Sequence, residues 1–155
     1  MTDRRLLVVH HSPSPSMRAL TDAVVAGAGD DLIEGVEVVV RPALEASAAD
    51  VLGADGILLG TPANFGYMSG ALKDFFDRTY YPCEGKLVGL PYAVFVSAGN
   101  DGTGAVREIG RIANGYGWKM VAEALIVRRE ITPADLERAR ELGEAMAAGL
   151  AMGVF

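Results

Sequence analysis

Short apolar runs alternate along the chain with longer segments whose hydrophobic residues recur every three or four positions. The runs are Leu6 to His10, Val36 to Val40, Gly56 to Leu59 within Asp55 to Gly60, Tyr92 to Ser97, and Val121 to Val127. Apart from Glu37 in the second and Glu123 in the fifth they are continuous, as expected for strands covered by helices on both faces. The intervening segments read as helices. Ser16 is placed to cap one in which Met17, Leu20 and Val24 share a face. Ser47 with Asp50 three residues on forms a capping box for a brief second helix. Ser69 opens a third, with Leu72, Phe75 and Phe76 inward and Lys73/Asp77 and Asp74/Arg78 paired on the outside. Val106, Ile109, Ala113 and Tyr116 mark a fourth. Thr132-Pro133 with Asp135 starts a fifth, whose inner face is Leu136, Ala139, Met146 and Leu150.

This succession predicts an α/β fold: three layers, a five-stranded parallel sheet with helices on both faces and right-handed crossovers. Periodicity leaves the strand order open. No repeat, low-complexity tract or linker divides the 155 residues, so residues 1–155 read as one domain with one core.

Charge and cysteine usage narrow the function classes. A net charge of −6 speaks against a nucleic-acid binder, which needs clustered cations for phosphates. The one cysteine, Cys83, has no internal disulfide partner and cannot make a four-cysteine metal site. No apolar run approaches the length of a signal-peptide core or a membrane span. The expected location is the cytoplasm, with no membrane partner.

In an open parallel sheet the ligand crevice lies beyond the carboxyl ends of the strands. Three loops leave those ends: His11 to Ser16, Thr61 to Tyr67, and Ala98 to Gly104. The first carries Ser12, Ser14 and Ser16 into a helix N-terminus, which suits a phosphate monoester or, equally, a rigid Ser/Pro turn. In the second, Phe65 and Tyr67 offer aromatic faces, Gly66 permits close backbone approach, and Asn64 supplies an amide. A planar heteroaromatic ring fits there; the alternative is that the aromatics cover a core edge or a subunit interface. No G-x-G-x-x-G, no P-loop motif and no acidic cluster after the first strand is present, which removes the main support for the dinucleotide-binding Rossmann, ATPase and receiver-domain readings. His10-His11 reads as a hydrogen-bonded core or rim pair ahead of a cofactor contact, Trp118 as packing, and Arg128-Arg129 as a solvated pair ahead of a contact for a cofactor's phosphate. No catalytic triad or metal-ligand spacing appears.

The stretch Gly60-Thr61-Pro62-Ala63-Asn64-Phe65-Gly66-Tyr67-Met68-Ser69-Gly70-Ala71-Leu72-Lys73-Asp74-Phe75-Phe76-Asp77-Arg78 resembles the G-T-P-x-x-x-G-x-x-S-G-x-[LM]-K-x-F-[LF]-D-R segment of flavodoxin-like NAD(P)H-dependent FMN and quinone reductases, the tryptophan-repressor-binding-protein group among them. The resemblance implies a flavodoxin-like sheet of order 2-1-3-4-5 with FMN at its edge. By position, Ser12, Ser14, Ser16 and the amides of Met17 and Arg18 would hold the 5′-phosphate. Thr61, Pro62, Ala63, Asn64, Phe65, Gly66 and Tyr67 would flank the isoalloxazine, and Ser97, Ala98, Gly99, Asn100 and Gly102 would close the other side. The chain lacks the long insertions of the larger quinone reductases. Its third loop also lacks the aromatic that shields the flavin in many electron-carrier flavodoxins.

Two functions follow from the resemblance. One is an oxidoreductase passing hydride from NAD(P)H through FMN to a quinone-like acceptor. The other is an electron carrier between redox proteins. A homodimer is open in either case.

Overall fold

The computed structural model describes residues 3–155. Its elements are β1 (Arg4–His10), α1 (Pro15–Ala28), β2 (Val36–Pro42), α2 (Ala48–Leu52), β3 (Gly56–Pro62), α3 (Gly70–Cys83), β4 (Pro91–Ala98), α4 (Thr103–Tyr116), β5 (Lys119–Met120), β6 (Leu125–Arg128) and α5 (Pro133–Met152). All paired strands are parallel, in the order β2-β1-β3-β4-β5, and β6 also pairs with β4.

Alternation along the strands divides the core. Leu6, Val8, Leu58 and Phe95 point toward α1 and α5, while Leu7, Val9, Ile57, Leu59 and Val94 point toward α2, α3 and α4. Two closely approaching backbones fix the first layer. A Cβ on Gly27 of α1 would lie 2.0 Å from the Arg140 carbonyl oxygen, and one on Gly143 of α5 would lie 2.0 Å from the Val24 carbonyl oxygen. The helices therefore touch backbone to backbone.

The capping boxes at Ser47 and Thr132 and the cap at Ser69 form as the sequence predicts. The first helix differs. Its cap is Ser14, not Ser16, with the Met17 N–H donating to Ser14 Oγ at 3.2 Å. Pro15 explains the shift, because its locked φ and missing N–H suit the first helical position. Ser16 thus lies inside the first turn.

The fifth strand is divided. Tyr92 of β4 pairs with Met120, and Phe95 pairs with Leu125, so Val121 to Ala124 spans only Ala93 and Val94 opposite. Looping out these residues leaves Glu123 in solvent instead of under a helix. On α5, Leu136 is only half-buried, and Leu142 joins Ala139, Met146 and Leu150 inside instead. The crossing at Gly143 turns that side of α5 toward α1.

Arg78 does more than pair with its helical neighbour. Its Nε donates to Asp74 at 2.7 Å, while Nη1 and Nη2 donate to the carbonyls of Ala46 and Ala43, each at 2.8 Å. The guanidinium so ties α3 to the turn after β2. Arg78→Ala should cost about 1–3 kcal/mol in urea unfolding, since charged donors to backbone are lost at a partly exposed site. An unchanged midpoint would show that water replaces these bonds without loss.

Candidate functional site

The loop after β3 is held at both ends. Thr61, fully buried, donates its hydroxyl to the Pro62 carbonyl at 2.7 Å and accepts the Ser69 N–H at 2.9 Å. The side chain of Thr61 therefore braces the loop. The Ala63 N–H donates to the Ser97 carbonyl at 2.9 Å, joining the loop to β4.

At the tip, Asn64 and Tyr67 exchange backbone hydrogen bonds of 2.8 and 2.9 Å around two residues of positive φ, Phe65 at 51° and Gly66 at 74°. Paired positive φ values are the pattern of the tightest hairpin turns. For a phenylalanine this backbone costs about 1 kcal/mol or more, and its ring gains no burial in return, being fully exposed.

The turn rests on α4. A Cβ on Gly104 would lie 2.1 Å from the Gly66 carbonyl oxygen, so only glycine lets the second loop settle against the third. The third loop has its own clamp. Arg128 Nε donates to the Asp101 carbonyl at 2.9 Å, its Nη2 lies 3.7 Å from the Asp101 carboxylate, and the Arg129 N–H donates to the Ala98 carbonyl at 2.8 Å. The Thr103 hydroxyl donates to the Asp101 carboxylate at 2.5 Å. That bond, with Arg128, holds the Asp101 carboxyl below its usual range. Gly102, at φ 80°, caps α4 without a side-chain hydrogen bond.

Between Ala63–Gly66 and Ala98–Gly104 lies a cleft of about 450 Å³, with Arg107 at its rim. A larger hollow of about 540 Å³ runs along β6 and α5, lined by Arg138, Glu141 and Leu142 among others. It is the more open of the two, whereas the smaller cleft sits at the carboxyl ends of β3 and β4, where ligands of such sheets bind.

The first loop is more committed than its serines suggest. Ser12 Oγ lies 2.9 Å from Thr21 Oγ1 and 2.8 Å from His10 Nδ1. Ser14 Oγ caps Met17, and the Arg18 N–H donates to the Ser14 carbonyl at 3.0 Å. Two of the three hydroxyls and both helical amides therefore have partners within the chain. Ser16, exposed in the first turn, has its hydroxyl free among the described residues. Burial, reinforced by the neighbouring His11 and opposed by Asp22, lowers the His10 pKa. The His11 N–H donates to the Gly60 carbonyl at 3.0 Å and joins this loop to β3.

The structure thus brings Ala63, Phe65, Gly66, Ala98, Gly99, Asn100 and Gly102 to one cleft. Pro62, Asn64, Tyr67 and Ser97 frame it from the adjoining backbone. Arg107 was not legible in the sequence as a residue of the rim, and Arg128 is no merely solvated partner of Arg129: it clamps the third loop through Asp101.

The sequence profile described as NADPH-dependent FMN reductase matches residues 30–128. The chain belongs to this family. The matched stretch contains the second and third loops and the Arg128 clamp, but not Ser12 to Arg18. A flavodoxin of Aquifex aeolicus is 33% identical over 100 residues, covering 64% of this chain and 53% of that protein. An NAD(P)H dehydrogenase (quinone) of Acidithiobacillus ferrooxidans is 34% identical over 114 residues, covering 60% and 56%. The chain therefore spans little more than half the length of these curated relatives. Among solved structures, the flavodoxin, WrbA-like protein from Agrobacterium tumefaciens superposes with a TM-score of 0.79 over 97% of this chain and 99% of that one, at 22% identity. The sheet order implied by the resemblance of Gly60 to Arg78 is the one found here.

Proposed function

We propose that this chain is one FMN-binding domain that takes hydride from NAD(P)H and passes electrons to a small quinone-like acceptor. The observation that carries the reading is the cleft. One wall is a single exposed aromatic, Phe65, on a strained backbone, and the other is the aromatic-free loop Ala98 to Gly104. Its volume of about 450 Å³ lies within the range of roughly 300–1,000 Å³ typical of cofactor pockets. FMN, when bound, supplies the hydride-accepting ring. Phe65 would stack on that ring, the amides of Gly99 to Gly102 would meet its polar edge, and the hydroxyl and amide of Ser16 would meet the phosphate, with Ser12, Ser14 and the Met17 and Arg18 amides exchanging their present partners for it. With no aromatic on the third loop, one ring face stays open to a nicotinamide, which must approach within about 3–3.5 Å to react.

The flavodoxin of Aquifex aeolicus favours a second reading, an electron carrier between redox proteins, in which no nicotinamide binds. The same residues would hold FMN in both. Cytoplasmic placement suits the buried free thiol of Cys83, and no described helix is long and apolar enough to cross a membrane.

The test is to saturate purified protein with flavin, identify the retained species by mass, and mix it anaerobically with NADH and NADPH. Stoichiometric FMN bleached by either nicotinamide is expected. Retention of FAD alone, or of no flavin, removes the cofactor assignment. FMN that neither nicotinamide bleaches moves the chain to the carrier class.

A further inference from the structure

The basic side chains are unevenly committed. Arg4, Arg5, Arg41, Lys73, Arg78, Arg111, Arg128, Arg138 and Arg140 each lie within 4.0 Å of a carboxylate. Among the described residues, Arg18, Lys86, Arg107, Lys119 and Arg129 lie outside these pairs. The two lysines belong to the end of the sheet where β4 and β5 begin, and the three arginines to the end where the strands finish. Of those three, Arg107 alone lines the cleft between the second and third loops.

Its charge there is uncompensated. The other charged residue of the cleft, Asp101, is already engaged by Thr103 and Arg128. Around it the chain carries a net charge of −6, which repels a polyanionic donor at long range. A guanidinium presents a planar fork of donors that matches phosphate oxygens in pairs.

We infer that Arg107 holds a phosphate of the incoming nicotinamide dinucleotide, an assignment that rests on the reductase reading above. The phosphate of FMN is the less suitable occupant. It would lie at the loop after β1, whereas Arg107 stands on the helix after β4, and β3 separates the two strands. Neighbouring strands lie about 4.8 Å apart, so the two loops start about two strand spacings from one another. Arg107 instead stands beside the ring cleft, where a dinucleotide approaching the open ring face must pass its phosphates.

The test uses FMN-loaded protein carrying Arg107→Ala, Arg107→Lys or Arg107→Glu beside the wild type. Binding of the non-reducing NADP⁺ and NAD⁺ is measured by calorimetry, FMN affinity by fluorescence, and anaerobic reduction by NADPH and NADH over a concentration series. Arg107→Ala should weaken dinucleotide binding by about tenfold to a hundredfold, the span of a lost charged hydrogen bond. Its dependence on salt should become shallower. Lysine should restore part of the affinity, glutamate should lower it further, and the FMN affinity should stay within about twofold of the wild type. A loss confined to NADP⁺ identifies the 2′-phosphate, and an equal loss for NAD⁺ identifies the pyrophosphate.

Unchanged dinucleotide affinity in the alanine and glutamate variants overturns the inference, as does a parallel loss of FMN affinity. If the wild type binds NADP⁺ through Arg107 yet is not reduced by NADPH, the reductase reading fails and the assignment stands. If wild type and Arg107→Ala are reduced with the same concentration dependence, the assignment fails and the reading stands. A wild type that binds neither dinucleotide ends both.

Discussion

Replacing Gly143 by alanine should destabilise the domain by about 3 kcal/mol or more, the upper range for forcing extra atoms into a packed interior. The added Cβ would lie 2.0 Å from the Val24 carbonyl oxygen, 2.7 Å from the Ala28 nitrogen and 3.0 Å from the Val24 carbonyl carbon. All three are backbone atoms of α1, so no side chain can rotate away, and the helices must separate. Separation would open the layer that Met17, Leu20, Val24, Ala139 and Met146 fill against β1 and β3. For a chain of this size the change corresponds to a fall in Tm of roughly 6–12 °C. Gly110→Ala is the matched control. Its nearest atom would be the Tyr92 hydroxyl at 3.9 Å, so only the gain in helix propensity of about 0.5–1 kcal/mol remains. Melting curves of the two variants decide the matter. Equal curves would mean that α1 and α5 cross more loosely than the backbone contact implies.

Gly104→Ala should act on the ligand instead of the fold. A Cβ there meets the Gly66 carbonyl oxygen at 2.1 Å and the Gly66 carbon behind it at 3.0 Å. The part displaced is an exposed two-residue turn, not a core helix, so the turn can move while α4 stays in place. Phe65 would move with it, because the reciprocal bonds between Asn64 and Tyr67 make the tip one unit. Stacking of an aromatic side chain on a heterocyclic ring is worth about 1–3 kcal/mol, which a displaced wall forfeits. FMN affinity should therefore fall by about tenfold to a hundredfold while the Tm of the FMN-free protein changes little. Gly110→Ala, on the same helix but away from the cleft and with its nearest atom at 3.9 Å, should leave affinity as it is. Equal FMN affinity in Gly104→Ala and wild type would remove the second loop from the ring site.

The layers and most helix starts were readable because each rests on neighbours close in sequence. Ser47 with Asp50, Ser69 with Leu72, and Thr132 with Asp135 are local arrangements, and all three form. Ser14 and Ser16 are two residues apart, and Pro15 between them decided in favour of the earlier. Strand order is not contained in periodicity. It came with the resemblance of Gly60 to Arg78 to a known segment, and the pairing confirms it. Glu123 announced an interruption in the fifth strand, but the slip against β4 depends on how Met120 and Leu125 meet Tyr92 and Phe95, a relation between distant segments. The long basic side chains escaped for the same reason. Arg78, Arg107 and Arg128 act through partners or a cleft supplied by other parts of the chain, and on their own elements they look like solvated charges.

The interruption between β5 and β6 also governs self-assembly. A long straight strand at a sheet margin exposes a ladder of free donors and acceptors on which another chain can align. Here that margin is two short pieces, Lys119–Met120 and Leu125–Arg128, separated by a looped-out stretch. An incoming strand would find its register broken after two residues. The opposite margin, β2, ends in Arg41 and Pro42, and that proline offers no N–H to extend a ladder. Both margins thus discourage a continuous sheet through neighbouring molecules, a safeguard against fibrillar stacking.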